Sequence, residues 1–270
     1  MIELEKKYQL KVKKFGIINW TGFKTLLVKE ISRFMIVWAQ TILSPLVSSL
    51  LFLAVLSLAI GDQRGDVLGF PFINFLAPGL IAMSVIQQGF SHSVSSIMIA
   101  KIQGNIIDTL MAPLSPGEVT LAVILASVAR SMIILIVSVL VFSLIIEINF
   151  YNIFYILLGT FLGSFILGTM GFITGQYALK FDHTAAVTNF IITPASFLSG
   201  VFYTTDKLPA FFQFISDWNP FFYIIDITRY GFLGESDGNI VFGIFYLSII
   251  SLVLWFLCWY LYKIGWKLKS

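Results

Sequence analysis

The chain has 270 residues, of which 58% are apolar, 16% aromatic and only 11% charged, with a mean hydropathy of +0.91. A soluble domain carries about 25% charged residues, so composition excludes an ordinary soluble enzyme, a disordered chain and a nucleic-acid-binding domain. The net charge of +3 is too small to imply a polyanionic partner, and the lone Cys258 excludes an intrachain disulfide and a cysteine-based metal site.

Residues 1–34 read as a cytosolic N-terminal segment. A basic run (Lys6, Lys7, Lys11, Lys13, Lys14) precedes Trp20, Phe23, Leu26, Leu27, Ile31 and Phe34. These apolar residues recur at three- and four-residue spacing, and Lys24, Lys29, Glu30 and Arg33 are expected on other faces. The pattern predicts an amphipathic helix lying in the membrane interface. It is open at this point whether the helix is an anchor held by anionic lipid or a moving gate. The first apolar run begins near residue 34 and is too long for a signal-peptide core, so no cleaved leader is expected.

Residues 35–267 read as one transmembrane domain. A helix needs about 20 apolar residues to cross the bilayer core. Five stretches lack Asp, Glu, Lys and Arg over that length: 34–61, 67–100, 148–179, 183–205 and 238–262. A sixth, 119–146, is interrupted only by Arg130. The expected fold is therefore all-α, with six transmembrane helices. With the N-terminus cytosolic, 13 of the 17 Lys and Arg residues face the cytosol, and only Arg64, Lys207 and Arg229 fall outside. By the positive-inside rule both termini are cytosolic.

Within the spans, Arg130 is the only full charge at depth; it either lines a pathway or bridges helices. Gln87 and Gln88 crowd the same span as Ser91, Ser93, Ser95 and Ser96. His92 and His183 are expected at the cytosolic ends of spans, solvated or at headgroup level. Gly159, Gly163, Gly168, Gly171 and Gly175 punctuate the fourth span, and small residues at such spacing let helices approach closely.

The cytosolic loop 101–118 predicts a short helix from Lys101 to Met111, stopped by Pro113. Ser115, Pro116 and Glu118 then form the N-cap, first helical residue and capping box of the next helix. Gly104, Asp108 and Leu110 belong to the short helix, which is suited to docking another subunit. On the opposite side, Pro209, Phe212, Trp218, Asn219 and Pro220 lie in a stretch too apolar for an exposed loop yet too broken by charge to span. Short helices re-entering the outer leaflet fit it. Asp226 and Arg229 stand three apart and are expected to pair on one helix face.

No phosphate loop or H-E-x-x-H motif occurs. Taken in order, the amphipathic helix, the six spans and a set of short motifs resemble the ABC-2 type transporter permeases, most closely their YadH-like branch of bacterial inner-membrane subunits. The motifs are Pro78-Gly79-Leu80, the Gly104, Leu110, Pro113, Ser115, Glu118 series, Ser199 to Tyr203, Asn219-Pro220 and Arg229 to Gly234. The resemblance runs from about Trp20 to the C-terminus. It implies a permease subunit in the bacterial inner (plasma) membrane, without its own ATPase site. A second copy would pair with it and two separate ATPase subunits, binding ATP and Mg, would dock from the cytosol. The loop with Lys101, Gly104, Asp108, Leu110 and Pro113 would be the coupling helix. The helix with Trp20, Phe23, Leu27 and Glu30 would be the connecting helix, and Pro209 to Pro220 the outer gate. Export of an amphipathic or lipid-like substrate is the implied activity. An ion-coupled secondary transporter or channel is the alternative, although no acidic residue lies within a predicted span. An intramembrane enzyme is a weaker rival. Drug, lipid, lipid-linked sugar and peptide all remain open as substrate.

Overall fold

Backbone amides that enter a bilayer must pair within their own segment, and the apolar runs of this chain do so as helices. The computed structural model describes residues 16 and 18–268, without the side chains of 60–64. The basic run from Lys6 to Lys14 lies outside the described residues. In chain order the helices are α1 (Trp20–Ile36), α2 (Ser44–Arg64), α3 (Phe72–Ile102), α4 (Ile106–Met111), α5 (Pro116–Phe142) and α6 (Ile153–Tyr177). There follow α7 (Phe181–Val187), α8 (Thr193–Phe197), α9 (Ala210–Asp217), α10 (Pro220–Leu233) and α11 (Ile240–Lys263). Wider π-helical turns, Ala39–Leu43 and Thr188–Ile192, lead into α2 and join α7 to α8. No strand occurs among the described residues.

Among the described residues, five helices are long and apolar enough to cross a membrane: Ala39–Ala59, α3, α5, α6 and α11. The stretch expected as a further span, 183–205, is instead helical only over 181–197, with the π turn inside it. At 1.5 Å per residue that broken helix reaches about 25 Å, short of a full hydrocarbon core. Its far end stops because Gly200 turns the chain at φ +71°. Tyr203 also folds back, its hydroxyl donating to the Phe197 carbonyl at 2.9 Å. A count of missing charges cannot distinguish a helix from an apolar turn.

The long helix α3 is the spine, packed most extensively on α6 and also on α5, α2 and α10. Of its apolar window 72% is buried inside the protein, against 22% for the span that includes α2 and 17% for α11. The close α3–α6 contact depends on the glycines of α6. A Cβ at Gly171 would overlap the Phe90 carbonyl oxygen, and one at Gly175 would stand 2.9 Å from that of Val94. These glycines serve packing.

Among the described residues, three apolar cores stack along the bundle. Leu26, Ile106, Val119, Phe172 and Tyr262 fill the end that carries α4. Ile86, Phe90, Ile166, Leu167 and Ile224 fill the middle, and Phe75, Leu76, Ile134, Phe142 and Phe232 the opposite end.

Candidate functional site: a docking end and a membrane-embedded polar track

The first part of the site forms around α4. The sequence predicts one helix from Lys101 to Met111, but α3 runs on through Lys101 to Ile102 and the short helix begins only at Ile106. Gly104, at φ +77°, makes the turn between them, a conformation that glycine adopts without a Cβ penalty. Lys101 therefore belongs to α3. Its ammonium donates to the carbonyls of Gln176 (2.6 Å) and Ala178 (2.8 Å) at the end of α6, so it fastens a helix terminus. Ile107, Asp108, Leu110 and Met111 remain exposed on α4, with Gly104 and Pro113 beside them. Met111 is 81% exposed. An apolar face left open at a helix turn is the kind of surface that a partner covers.

This face is fastened to the rest of the molecule. The predicted capping box is present: Glu118 N–H donates to Ser115 Oγ at 3.3 Å, and Ser115 N–H to Glu118 Oε2 at 2.6 Å. The other carboxylate oxygen, Oε1, accepts from Asn19 N–H at 2.5 Å. The Asn19 side chain accepts from Gly22 N–H as the N-cap of α1 and donates to the Pro113 carbonyl at 3.0 Å. One carboxylate and one carboxamide thus join the starts of α1 and α5 to the segment leaving α4. Between α1 and α4 lies a groove of about 400 Å³ lined by Thr21, Leu26, Lys29, Asp108, Pro113 and Leu114.

On α1, Trp20 is exposed and Phe23 and Leu27 are half-buried. Glu30, expected on a polar face, is instead buried with Leu26 and Phe34. Spacing of four residues puts all three on one stripe. Its Oε2 accepts from Ser96 Oγ at 2.7 Å and from Arg33 Nε at 3.1 Å. His92 corrects a second expectation: it is fully buried, not at headgroup level. Its ring stands edge-on to Phe34 at 5.5 Å, with Nε2 3.9 Å from Glu30 Oε2. His183, by contrast, is half-buried in the first turn of α7, where Nδ1 accepts from Leu179 N–H at 3.4 Å.

The second part of the site is a polar track on α3. One groove of about 580 Å³ runs between α3 and α7–α8, lined by Gln87, Gln88, Ser91, Ser95, Thr184, Thr188, Asn189 and Thr193 with Phe90 and Met98. A second, of about 330 Å³, opens towards α2 and is lined by Ser44, Ser48, Ser49, Ser84, Gln87, Gln88 and Thr193. The two share Gln87, Gln88 and Thr193 and so adjoin. Arg130, 6% exposed, bridges helices behind them. Its guanidinium donates to Gln88 Oε1 and, at 3.5 Å, to the Thr41 carbonyl.

At the opposite end, Asp226 and Arg229 do not pair with each other. Asp226 accepts from the Asp237 and Gly238 N–H groups at 2.8 and 3.0 Å. Arg229, fully buried, donates to the Gly200 and Val201 carbonyls at 2.8 and 3.3 Å and stacks 3.9 Å from the Phe75 ring centroid. Each satisfies the backbone of a different loop, and those bonds outcompete an i,i+3 ion pair. A Cβ on Gly79 would meet Arg229 Nη2 at 2.9 Å, so the Pro-Gly-Leu and Arg-Tyr-Gly motifs are one packing unit. Pro209 precedes α9, whose Phe211, Phe212 and Phe214 are exposed, as is Trp218 just after it. Asn219 caps α10, accepting from Phe221 N–H and donating to the Ala195 carbonyl at 2.8 Å, with Pro220 at the first helical position.

Sequence reasoning missed Asn19 and misplaced Glu30 and His92. The stripe Leu26, Glu30, Phe34 was a readable signal for Glu30. None marked Asn19, whose partner Glu118 lies 99 residues away.

Comparison with known proteins decides what this arrangement belongs to. The profile of the ABC-2 type transporter family matches residues 21–233, from α1 to the end of α10. The chain belongs to the ABC-2 type transporter family. It is 34% identical over 255 residues to the inner membrane transport permease YadH of Escherichia coli K12, covering 94% of this chain and 99% of that protein. It is 25% identical over 220 residues to nodulation protein J of Rhizobium leguminosarum bv. viciae, covering 79% and 83% respectively. As an ABC-2 permease it is the membrane subunit of an ABC transporter, a multi-pass inner-membrane protein that works with ATPase subunits.

Proposed function

We propose that the chain forms, with a second copy of itself, the membrane half of an ATP-driven exporter of amphipathic or lipid-like molecules. Both termini and α4 face the cytosol, as the Lys and Arg distribution implies. The broken helix α7–α8, lengthened by the apolar turn 198–204 that follows it, makes up a sixth crossing, and α9 with α10 closes the pathway towards the outside. Two ATPase subunits, carrying ATP and Mg, dock on α4. The exposed α4 face fastened through Glu118 and Asn19 to α1 and α5 is the observation that carries this reading. Movement of a docked ATPase would pass through one carboxylate to the interface helix and to a spanning helix as rigid bodies. The polar track on α3 is the surface along which substrate moves.

The test is co-purification with a cognate ATPase, and ATP-dependent transport in inverted vesicles, for Gly104→Val, Leu110→Asp and Pro113→Ala. Loss of both association and transport is expected. Unchanged association and transport would refute the docking assignment, and transport in vesicles without any ATPase would refute the ATP-driven reading.

A further inference from the structure

The residues after α11 form a basic and aromatic hook at the end of the bundle that carries α4. The chain reverses there on two hydrogen bonds. Gly265 N–H donates to the Tyr262 carbonyl at 3.0 Å and Trp266 N–H to that of Leu261 at 3.1 Å, the paired bonds of a Schellman motif. Leu268 is thereby buried in the core with Leu26, Ile106 and Tyr262. The fully buried Gln176, near the end of α6, fixes the reversal. Its Nε2 donates to the carbonyls of Leu261 at 3.1 Å and Trp266 at 2.6 Å. Trp266 stacks on Tyr177, with ring centroids 6.1 Å apart.

Held this way, the Lys267 ammonium stands 4.3 Å from the Tyr177 ring centroid and 5.5 Å from that of Trp266. The Lys263 ammonium stands 5.0 Å from the Trp259 ring centroid. Both lysines are exposed, as is Lys180 at the start of α7. Lys101 lies near enough to Lys267 for their charges to repel. No carboxylate balances this charge: among the described residues every ion pair involves Glu30. Asp182, in the first turn of α7, pairs with none of these lysines, and Glu118 is held by Asn19 and Ser115. Uncompensated ammoniums on aromatic rings, where spanning helices end, suit an anion at the membrane surface. The adjoining surface is apolar. The α11 span is only 17% buried inside the protein, and Phe256 and Tyr260 are exposed on it. Spacing of four and three residues puts Phe256, Tyr260 and Lys263 on one face, so acyl chains meet an apolar wall beside the charge.

We propose that this hook is a binding site for a phospholipid of net negative charge, with Lys263 and Lys267 facing its head group, Tyr177 positioning Lys267, and its acyl chains along the Phe256 and Tyr260 face of α11. That the lipid belongs to the cytosolic leaflet rests on the proposed orientation; the binding itself does not.

The test uses the full chain with its ATPase in phosphatidylcholine nanodiscs that carry a trace of one photoactivatable lipid. The probe is phosphatidylglycerol or phosphatidylcholine, with the same tails and the diazirine beside the head group. Labelled peptides are mapped by mass spectrometry. The phosphatidylglycerol probe is expected to label 177–183 and 259–268 in preference to the other. Lys263→Gln and Lys267→Gln should each lower that labelling about fivefold, the attraction of one basic residue at an anionic surface. Lys263→Arg and Lys267→Arg keep the charge and should preserve it. Tyr177→Leu should lower it about threefold, whereas Tyr177→Phe, which keeps a ring beneath Lys267, should not. Lys24→Gln/Lys207→Gln removes two charges elsewhere and should leave labelling of the hook unchanged. Equal labelling of the hook by the two probes would overturn the preference for negative charge. Parent-level labelling in Lys263→Gln/Lys267→Gln would overturn the role of these lysines. An equal loss in Lys24→Gln/Lys207→Gln would overturn the site by showing that only the total charge matters.

Discussion

Replacing Glu118 tests the mechanical tie at the α4 end. Its two oxygens accept separate backbone N–H groups, from Asn19 at 2.5 Å and Ser115 at 2.6 Å. A hydrogen bond to a charged group is worth about 1.5–3 kcal/mol. Water competes at the end of the bundle, so about 1.5 kcal/mol each is the appropriate figure, or about 3 kcal/mol for both. Glu118→Ala removes both bonds. Glu118→Gln removes one, since a carboxamide has a single acceptor oxygen and its NH₂ would face an N–H donor. Hydrogen exchange reads the opening directly, with a factor of ten for each 1.4 kcal/mol. Protection of the start of α1, around Gly22 to Leu26, depends on the Asn19 bond alone and should fall about tenfold in the alanine variant, and by no more than that in the glutamine variant. ATPase activity stimulated by the permease should fall in the same order, while the α3–α6 core keeps its protection. Equal protection of α1 in all three proteins would refute the tie. A uniform loss of protection across the bundle would also refute it, by showing a general structural defect.

Gly171→Ala should destabilise the protein by about 1–3 kcal/mol, because the added methyl overlaps the backbone of α3. Gly117→Ala meets nothing closer than Trp259 Cδ1 at 3.7 Å and should be neutral or slightly stabilising. Thermal unfolding of both in one detergent checks the contrast, and matching midpoints would contradict the α3–α6 packing. Arg229→Met should cost about 2–4 kcal/mol by leaving two buried carbonyls without donors. Arg229→Lys should recover only part of this, since an ammonium can donate to the carbonyls but lacks the planar guanidinium face that stacks on Phe75; expression and melting of the two variants test the order. For topology, Cys258 is fully buried and should stay silent to membrane-impermeant maleimides. A cysteine at Gly104 should react only from the inner face and one at Lys207 only from the outer; the same sidedness for both would overturn the proposed orientation.

Much of the molecule was legible from local chemistry. Helix starts were readable where one side chain caps its own neighbourhood, as Ser115 and Glu118 do three residues apart. The five crossing helices fall within the apolar stretches chosen by missing charge, apart from a residue or a few at some ends. Where local reasoning erred, the deciding contact came from elsewhere in the chain. Glu30 was placed on a polar face because a carboxylate prefers water, yet Ser96 and Arg33 satisfy it inside. Asp226 and Arg229 have ideal spacing for a pair, but loop amides and carbonyls 11 to 29 residues away claim them.

The chain's shortage of charge thus determined that it lives in a membrane, where its helices run and which segments interrupt them, because transfer into lipid depends on the composition of each segment alone. Only the tertiary structure decided which polar groups face one another: Asn19 with Glu118, Gln88 with Arg130, Arg229 with the turn at Gly200. A buried polar group must find a partner, and across 29 to 99 residues of chain that choice depends on which helices pack together.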